Sequence, residues 1–215
     1  MQTMAIKFIE HIDKGLLGFW EIKETAEQLL ETLNPETEEL DKYLLLRNNL
    51  RRKEWLAVRL LLQKMVVGDS KIDYDPTGKP YLVNTPGHIS ISHSSNCVVI
   101  YLHTEEQPGI DIELITRNVT KAARKFLSAE ELNDCMVDEQ LSNKDVMLRW
   151  CAKEAVFKMV PFPDIDFASQ IACIAQPLTT NEGVFSATFT SKEGSLHIPL
   201  NFRFVGDILM VWGQI

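Results

Sequence analysis

The chain has 215 residues, of which 45% are hydrophobic and 24% are charged, and its formal net charge is −8. This composition is typical of a globular protein with enough apolar material for one large domain or two small ones. The negative charge argues against binding to nucleic acid or to an anionic membrane surface, so an anionic ligand would need a local basic pocket. No apolar run approaches the roughly 20 residues that a membrane span needs.

The first half of the chain alternates predicted strands and helices. A turn of sequence Asp-Pro-Thr-Gly-Lys-Pro at 75–80 separates the helical region from the later strands. In the strand at 89–94 the serines share one face and His93 lies with the isoleucines, whereas the strand at 97–102 is apolar throughout and therefore central. The predicted elements are strands at 4–9, 16–22, 89–94 and 97–102, a helix at 26–33 and a helical region at 44–62, expected in two segments.

A polar joint at 105–108 predicts the boundary between two lobes, residues 1–107 and 108–215. The second lobe opens with a strand, and a long helix lies near its middle. Its predicted elements are a strand at 109–114, short helices at 119–126 and after Ser128, a long helix at 143–159, and strands at 171–175, 184–190, 196–202 and 208–212.

Acidic residues mark the first strand and the long helix of this second lobe. Asp111 and Glu113 lie on one face of the strand, because side chains alternate along it. Glu154 and Lys158 lie one turn apart on the helix. If the helix packs on the strand, three carboxylates and one lysine converge, and three oxygen ligands suit Mg²⁺ holding a phosphate substrate. Taken alone, each pattern is more typical of a solvated sheet edge or a surface ion pair.

The basic residues of the first half allow two interpretations, and the cysteines favour one. Arginines and lysines of the first long helical region fit a solvated face or a phosphate site; they are Arg47, Arg51, Arg52, Lys53 and Arg59. The cysteines lack metal-ligand spacing and fit buried, reduced thiols; they are Cys97, Cys135, Cys151 and Cys173. With no recognisable signal peptide, we expect a cytoplasmic protein.

Four motifs follow one another along the chain: Gly78-Lys79-Pro80, Ile91-Ser92-His93-Ser94, Gly109-Ile110-Asp111-Ile112-Glu113 and Trp150-Cys151-Ala152-Lys153-Glu154-Ala155-Val156-Phe157-Lys158. In this order they make the chain resemble the Sfp-type 4′-phosphopantetheinyl transferases, roughly over residues 51–161. The resemblance implies an α+β fold, a pseudo-twofold pair of similar α/β lobes in one chain, with coenzyme A bound between them. The lobe at 1–107 would contact the coenzyme A nucleotide, and the lobe at 108–215 would carry the Mg²⁺ site and the catalytic helix.

The resemblance also implies an activity. The protein would move 4′-phosphopantetheine from coenzyme A to a serine of an apo acyl or peptidyl carrier protein and release adenosine 3′,5′-bisphosphate. It would be a monomeric holo-acyl-carrier-protein synthase that uses Mg²⁺, or Mn²⁺ in its place, with coenzyme A as co-substrate. Fatty-acid, polyketide and non-ribosomal-peptide carriers all remain open as acceptors.

Individual residues acquire roles by the same resemblance. The metal ligands would be Asp111, Glu113 and Glu154. The catalytic set would be Asp111, Glu154 and Lys158, with Glu154 as the candidate base and Lys158 at a phosphate oxygen. Coenzyme A would be bound by Arg59 at its 3′-phosphate, Lys79 at the nucleotide end, Ser92, His93 and Lys158. We expect Trp150 to pack and Lys153 to be structural or to face the carrier.

Two other functions stay open. The first is a coenzyme A or carrier-protein binding module that has lost catalysis, but the complete set of acids and the lysine argues against decay. The second is another Mg²⁺-dependent phosphate enzyme, although the sequence has no Gly-x-x-x-x-Gly-Lys-Ser/Thr loop. Because carriers are usually acidic near the serine, a basic patch should receive them; Arg117, Lys121, Arg124 and Lys125 fit either that patch or a solvated surface.

Overall fold

The computed structural model describes residues 6–175 and 178–215. They form two compact units, the first ending at Glu105 and the second beginning at Glu106. Each unit packs a 17-residue helix against an antiparallel sheet. The expected mixed α+β fold is therefore confirmed, while the pseudo-twofold relation of the lobes and their separate roles stay predictions. Among the described residues, no helix is both long and apolar enough to cross a membrane.

The first unit has a main sheet of order β1–β2–β6–β5 and a separate β3–β4 hairpin. Every residue of β6 is buried between β2 and β5, which confirms the central strand predicted from its apolar sequence. The strands are β1 (Ile6–Ile12), β2 (Gly15–Glu21), β3 (Lys71–Tyr74), β4 (Pro80–Val83), β5 (His88–Ser94) and β6 (Cys97–His103), and the helices are α1 (Ala26–Leu33), α2 (Thr37–Leu44) and α3 (Asn49–Met65).

Capping side chains start helices α1 and α3. Thr25 and Gln28 form a capping box at the start of α1, and Asn34 ends it with a left-handed backbone at φ 44°. The predicted helical region at 44–62 is divided because the Asn48 side chain accepts hydrogen bonds from the backbone of Leu50 and Arg51 and so starts α3 afresh. Residues 4 and 5 of the first predicted strand lie outside the described residues.

Strand β5 differs from its prediction in one respect. Its alternating sequence predicted a half-buried strand, but Ser90 and Ser92 are only 3% and 7% exposed, and Ile89 is buried on the opposite face. Small hydroxyl side chains tolerate such burial when they are hydrogen-bonded. The middle of β5 is therefore buried on both faces, which places Ser92 in a packed environment, while His93 near the strand end is partly exposed.

The second unit is a sheet of order β10–β11–β12–β13–β7 covered by one long helix. The predicted helices and strands are present, and β11 and β12 run longer than predicted. The elements are β7 (Pro108–Leu114), a 3₁₀ helix (Thr120–Lys125), α4 (Ala129–Asp134), β8 (Met136–Val137), β9 (Gln140–Leu141), α5 (Asn143–Met159), α6 (Phe167–Gln170), β10 (Ile171–Ile174), β11 (Glu182–Ser191), β12 (Gly194–Val205) and β13 (Ile208–Gln214).

Two glycines let α5 approach the sheet closely. Gly109 in β7 pairs with Gly213 in β13. A Cβ atom at Gly109 would lie 2.1 Å from the Ala155 carbonyl oxygen, and one at Gly213 would lie 3.2 Å from Met159 Cε. Because no side chain fits between strand and helix at Gly109, α5 rests directly on the backbone of β7. This contact brings the two acidic motifs of the sequence together.

Candidate active site

Asp111 and Glu113 lie on the face of β7 that α5 covers. They pair across the sheet with Val211 and Leu209, which belong to the same apolar core as the buried side chains of α5. From the last turn of α5, Lys158 Nζ donates to Asp111 Oδ1 at 2.8 Å and to the Ile110 carbonyl oxygen at 2.8 Å. The predicted convergence of strand and helix thus takes the form of a direct lysine–carboxylate contact.

Glu113 is held by two donors. Its Oε1 is in close contact with Arg117 Nη1, and Trp150 Nε1 donates to the same oxygen at 3.4 Å. The Trp150 ring packs edge-on against Phe126, with ring centres 4.9 Å apart. Trp150 therefore packs, as expected, and also orients a carboxylate.

Glu154 lies in the electrostatic field of this cluster. Burial raises the pKa of Glu154 to about 7, and the negative charges of Asp111 and Glu113 act in the same direction. Lys158 and Arg117 oppose the shift. The three carboxylates are therefore close enough to influence one another, and negative charge is concentrated at a partly buried place.

The donor chemistry of this cluster suits a hard divalent cation, because all three side chains offer carboxylate oxygens. Within the described ranges, however, no three or more His, Cys, Asp and Glu side chains are arranged to hold a metal ion. Lys158 and Arg117 contact two of the three carboxylates. The oxygen donors fit Mg²⁺, while the three-ligand site stays a prediction.

A second polar cluster lies in the first unit, around His93. Glu54 Oε2 is 3.4 Å from His93 Nδ1 and 3.2 Å from Arg51 Nη1, and Arg51 Nη1 also touches the imidazole. Ser92 is the buried neighbour of His93 in β5. Arg51 and Glu54 thus accompany His93. The sequence left Arg51 open as part of a solvated face or of a phosphate site, and it gave Glu54 no role.

Arg59 lies elsewhere on α3. It is only 6% exposed, donates from Nε to Glu39 Oε1 at 2.9 Å, and places its guanidinium carbon 3.3 Å from the centre of the Trp55 ring. Burial lowers the pKa of Arg59, and its partners Tyr74 and Glu39 oppose this. These contacts tie α2 to α3, and none of the described contacts of Arg59 joins it to His93.

Lys79 follows a turn that its neighbour Asp75 organises. Asp75 Oδ1 accepts from the backbone of Lys79 at 3.0 Å and from that of Thr77 at 2.8 Å. The Lys79 side chain is half-buried, and this burial lowers the pKa of the amine, with Asp75 opposing the shift. Lys79 therefore lies at the predicted turn, and its contact with a nucleotide stays a prediction.

Lys153 is structural and does not face a carrier. It is fully buried, and its Nζ donates to Glu131 Oε2 at 2.7 Å, to the Phe167 carbonyl oxygen at 2.7 Å and to the carbonyl of Ile171. An ammonium group has three donors, and here each meets an acceptor. Of the two alternatives, structural or carrier-facing, the structure supports the first, because the helix turns this residue into the core.

Comparison with known proteins agrees with this geometry. The family model of the 4′-phosphopantetheinyl transferase superfamily matches residues 107–201, a segment that contains both β7 and α5. The resemblance to the 4′-phosphopantetheinyl transferases is confirmed. The segment that matches the family thus contains Asp111, Glu113, Glu154 and Lys158.

The sequence similarity of this chain to two curated phosphopantetheinyl transferases is distant and covers part of each protein. The 4′-phosphopantetheinyl transferase AcpT of Escherichia coli O157:H7 is 32% identical over 115 residues, which cover 50% of this chain and 57% of the relative. The AcpT of Salmonella typhi is 30% identical over 114 residues, which cover 50% of this chain and 58% of the relative. The chain therefore spans little more than half the length of the curated relatives that it matches.

Proposed function

We propose that the protein transfers the 4′-phosphopantetheine group of coenzyme A to a serine hydroxyl of an apo carrier protein. The observation that carries the proposal is the meeting of Asp111, Glu113, Glu154 and Lys158 within the segment that matches the family. We assign the protein to the Sfp-type group and to holo-acyl-carrier-protein synthase activity. It would act as a cytoplasmic monomer, in line with four cysteines that form no disulfide in the described structure.

In this reaction the serine oxygen bonds to the phosphorus that carries pantetheine, and the bond from that phosphorus to the bridging anhydride oxygen breaks. Adenosine 3′,5′-bisphosphate leaves, and the serine proton passes to a base. Glu154 is the candidate base, because its carboxylate is half-buried one helical turn before Lys158. Lys158 is fixed by Asp111 and Ile110, and its third ammonium proton suits a phosphate oxygen.

Asp111, Glu113 and Glu154 would hold Mg²⁺, or Mn²⁺ in its place. Bound there, such an ion neutralises the charge that develops on the phosphate oxygens. The contacts of Glu113 with Arg117 and Trp150 orient its carboxylate beside Asp111 on β7.

For the coenzyme phosphates we propose Arg51 in place of Arg59. Arg51 is 56% exposed and touches His93, whereas Arg59 is buried against Glu39 and Trp55. An arginine that binds phosphate must offer donors to solvent before the ligand arrives. His93, Ser92 and Lys79 keep their proposed places at the coenzyme.

A basic surface next to β7 would suit an acidic carrier protein despite the net charge of −8. Lys121, Arg124 and Lys125 are exposed on the 3₁₀ helix, and Arg117 is 55% exposed before it. Fatty-acid, polyketide and non-ribosomal-peptide carriers are equally compatible with this charge.

The test is to incubate the protein with coenzyme A, Mg²⁺ and apo carriers of the three classes, and to determine the intact mass of each carrier. A mass gain of one phosphopantetheine on at least one carrier supports the proposal. Coenzyme A binding without any mass gain would point to a binding module, and phosphate release from nucleotides without transfer would point to another phosphate enzyme. A chelator control shows whether transfer depends on a divalent cation.

A further inference from the structure

Glu54 is a buried acid at the centre of a small basic cluster. It is 4% exposed on α3, and its Oε2 lies within 3.4 Å of both Arg51 Nη1 and His93 Nδ1. Burying a carboxylate costs several kcal/mol unless it is paired and hydrogen-bonded. Its contacts with Arg51 and His93 compensate for that cost, and neither the family match nor the proposed chemistry uses Glu54.

The two partners of Glu54 reach towards solvent. The side chains of Arg51 and His93 are 56% and 35% exposed, against 6% for Glu54. A half-exposed arginine has many rotamers and loses entropy when it is fixed. Two basic groups in contact also repel each other when both are charged, and the carboxylate between them opposes this repulsion.

We propose that Glu54 is a positioning residue that holds Arg51 and His93 together as a preformed receptor for the phosphate of a nucleotide. This inference rests on the proposed function and deepens it, because that function needs a place for adenosine 3′,5′-bisphosphate. Glu54 itself acts through its two partners. By its charge alone it would repel the ligand, so positioning and simple charge repulsion predict opposite outcomes when the charge is removed.

The test is calorimetric titration of the full chain with adenosine 3′,5′-bisphosphate, comparing wild type with Glu54→Gln. Glutamine has nearly the same shape but holds Arg51 and His93 less strongly, because a charge-assisted hydrogen bond becomes a neutral one. We expect binding to weaken about tenfold, and the KM for coenzyme A to rise by a similar factor while kcat changes less than about twofold. Unchanged or tighter binding would overturn the proposal.

Two further variants separate positioning from loss of structure. In an Arg51→Ala background, Glu54→Gln should weaken binding by less than about threefold, because much of its effect passes through Arg51. A full tenfold loss in that background would contradict the proposal. Glu38→Gln removes an exposed charge from α2, where Glu38 contacts Lys42, and should leave binding unchanged. Thermal unfolding followed by circular dichroism checks each fold, and Glu54→Asp, which keeps the charge but shortens the reach, should also weaken binding if Glu54→Gln does not fold.

Failure of this inference differs from failure of the proposed function. A wild-type protein that binds the nucleotide and loads a carrier, beside an unchanged Glu54→Gln, would refute only the role of Glu54. A wild-type protein that neither binds the nucleotide nor loads any carrier would refute both.

Discussion

At the scale of single residues, the charge of Glu154 depends on its surroundings. Its pKa is raised from 4.5 to about 7, first by burial and then by Asp111 and Glu113. The folded protein therefore binds this proton more tightly than the unfolded chain does. The resulting stability is fully present below about pH 4.5 and is lost as the pH rises through 7.

Glu154→Gln should remove this dependence. In metal-free protein we expect the variant to be more stable than wild type at pH 8, by at most about 3 kcal/mol, and to show little of this advantage at pH 5. Urea unfolding at both pH values with a chelator measures the difference. Glu193→Gln, at an exposed turn, is the matched control and should show no such change. An equal effect of Glu154→Gln at both pH values would contradict the raised pKa.

Arg51 and Arg59 should respond differently to removal. Arg59→Ala breaks a buried ion pair with Glu39 and a ring contact with Trp55, so we expect it to lower the free energy of unfolding by about 3 kcal/mol. Arg51→Ala leaves the buried Glu54 paired with His93 alone, so we expect a smaller loss of about 1–2 kcal/mol in stability, together with a higher KM for coenzyme A. Chemical denaturation measures the free energy of unfolding of both variants, and steady-state kinetics measures their KM for coenzyme A. The reverse pattern would restore Arg59 to the coenzyme site.

At the scale of elements, the contact of α5 with β7 decides where the site lies. Gly109→Ala would place a methyl group against the Ala155 carbonyl, so the helix must move away from the strand. We expect a loss of about 1–3 kcal/mol in stability, together with a fall in transfer rate because Lys158 and Glu154 move relative to Asp111. Chemical denaturation of wild type and Gly109→Ala measures the loss of stability, and initial rates of transfer measure the loss of activity.

Gly194→Ala supplies the control for Gly109→Ala. Gly194 has a φ of +136° and no heavy atom within 4 Å of an added Cβ, so the substitution strains the backbone without touching α5. It should lower stability but leave the transfer rate of the folded protein unchanged. If both variants lost activity equally for the same loss of stability, the close packing at Gly109 would not be what positions the site.

The same elements show what the sequence could predict. Strand β7 and helix α5 were predictable because alternation and one-turn spacing are local patterns that persist in the fold. Which of Arg51 and Arg59 is exposed was not predictable, because Glu39 and Trp55 bury one of two arginines on the same helix. Likewise, the burial of Ser90 depends on packing across the sheet, which no local pattern records. The short β3–β4 hairpin was missed because each strand has only four residues.

At the scale of the whole molecule, all four cysteines are buried and none forms a disulfide in the described structure. Burial raises the pKa of Cys97 and of Cys135 to about 11 and that of Cys173 to about 12, and raises the pKa of Cys151 well above its usual range. The thiolate is the reactive form, so the native protein should react with a thiol reagent at pH 8 only as fast as it opens. The absorbance change of the thiol reagent, followed with and without urea, measures the rate of this reaction. A rapid reaction of any thiol in the native protein would contradict the buried arrangement.

The central claim is that acids far apart in the sequence, together with Lys158, form one transfer centre in the second unit. Its most direct test is the intact mass of an apo carrier protein after incubation with coenzyme A, Mg²⁺ and either wild type or Asp111→Asn. We predict a gain of one phosphopantetheine with wild type and none over the same time with the variant, although the variant remains folded by circular dichroism. Carrier loading by Asp111→Asn at the wild-type rate would contradict the account.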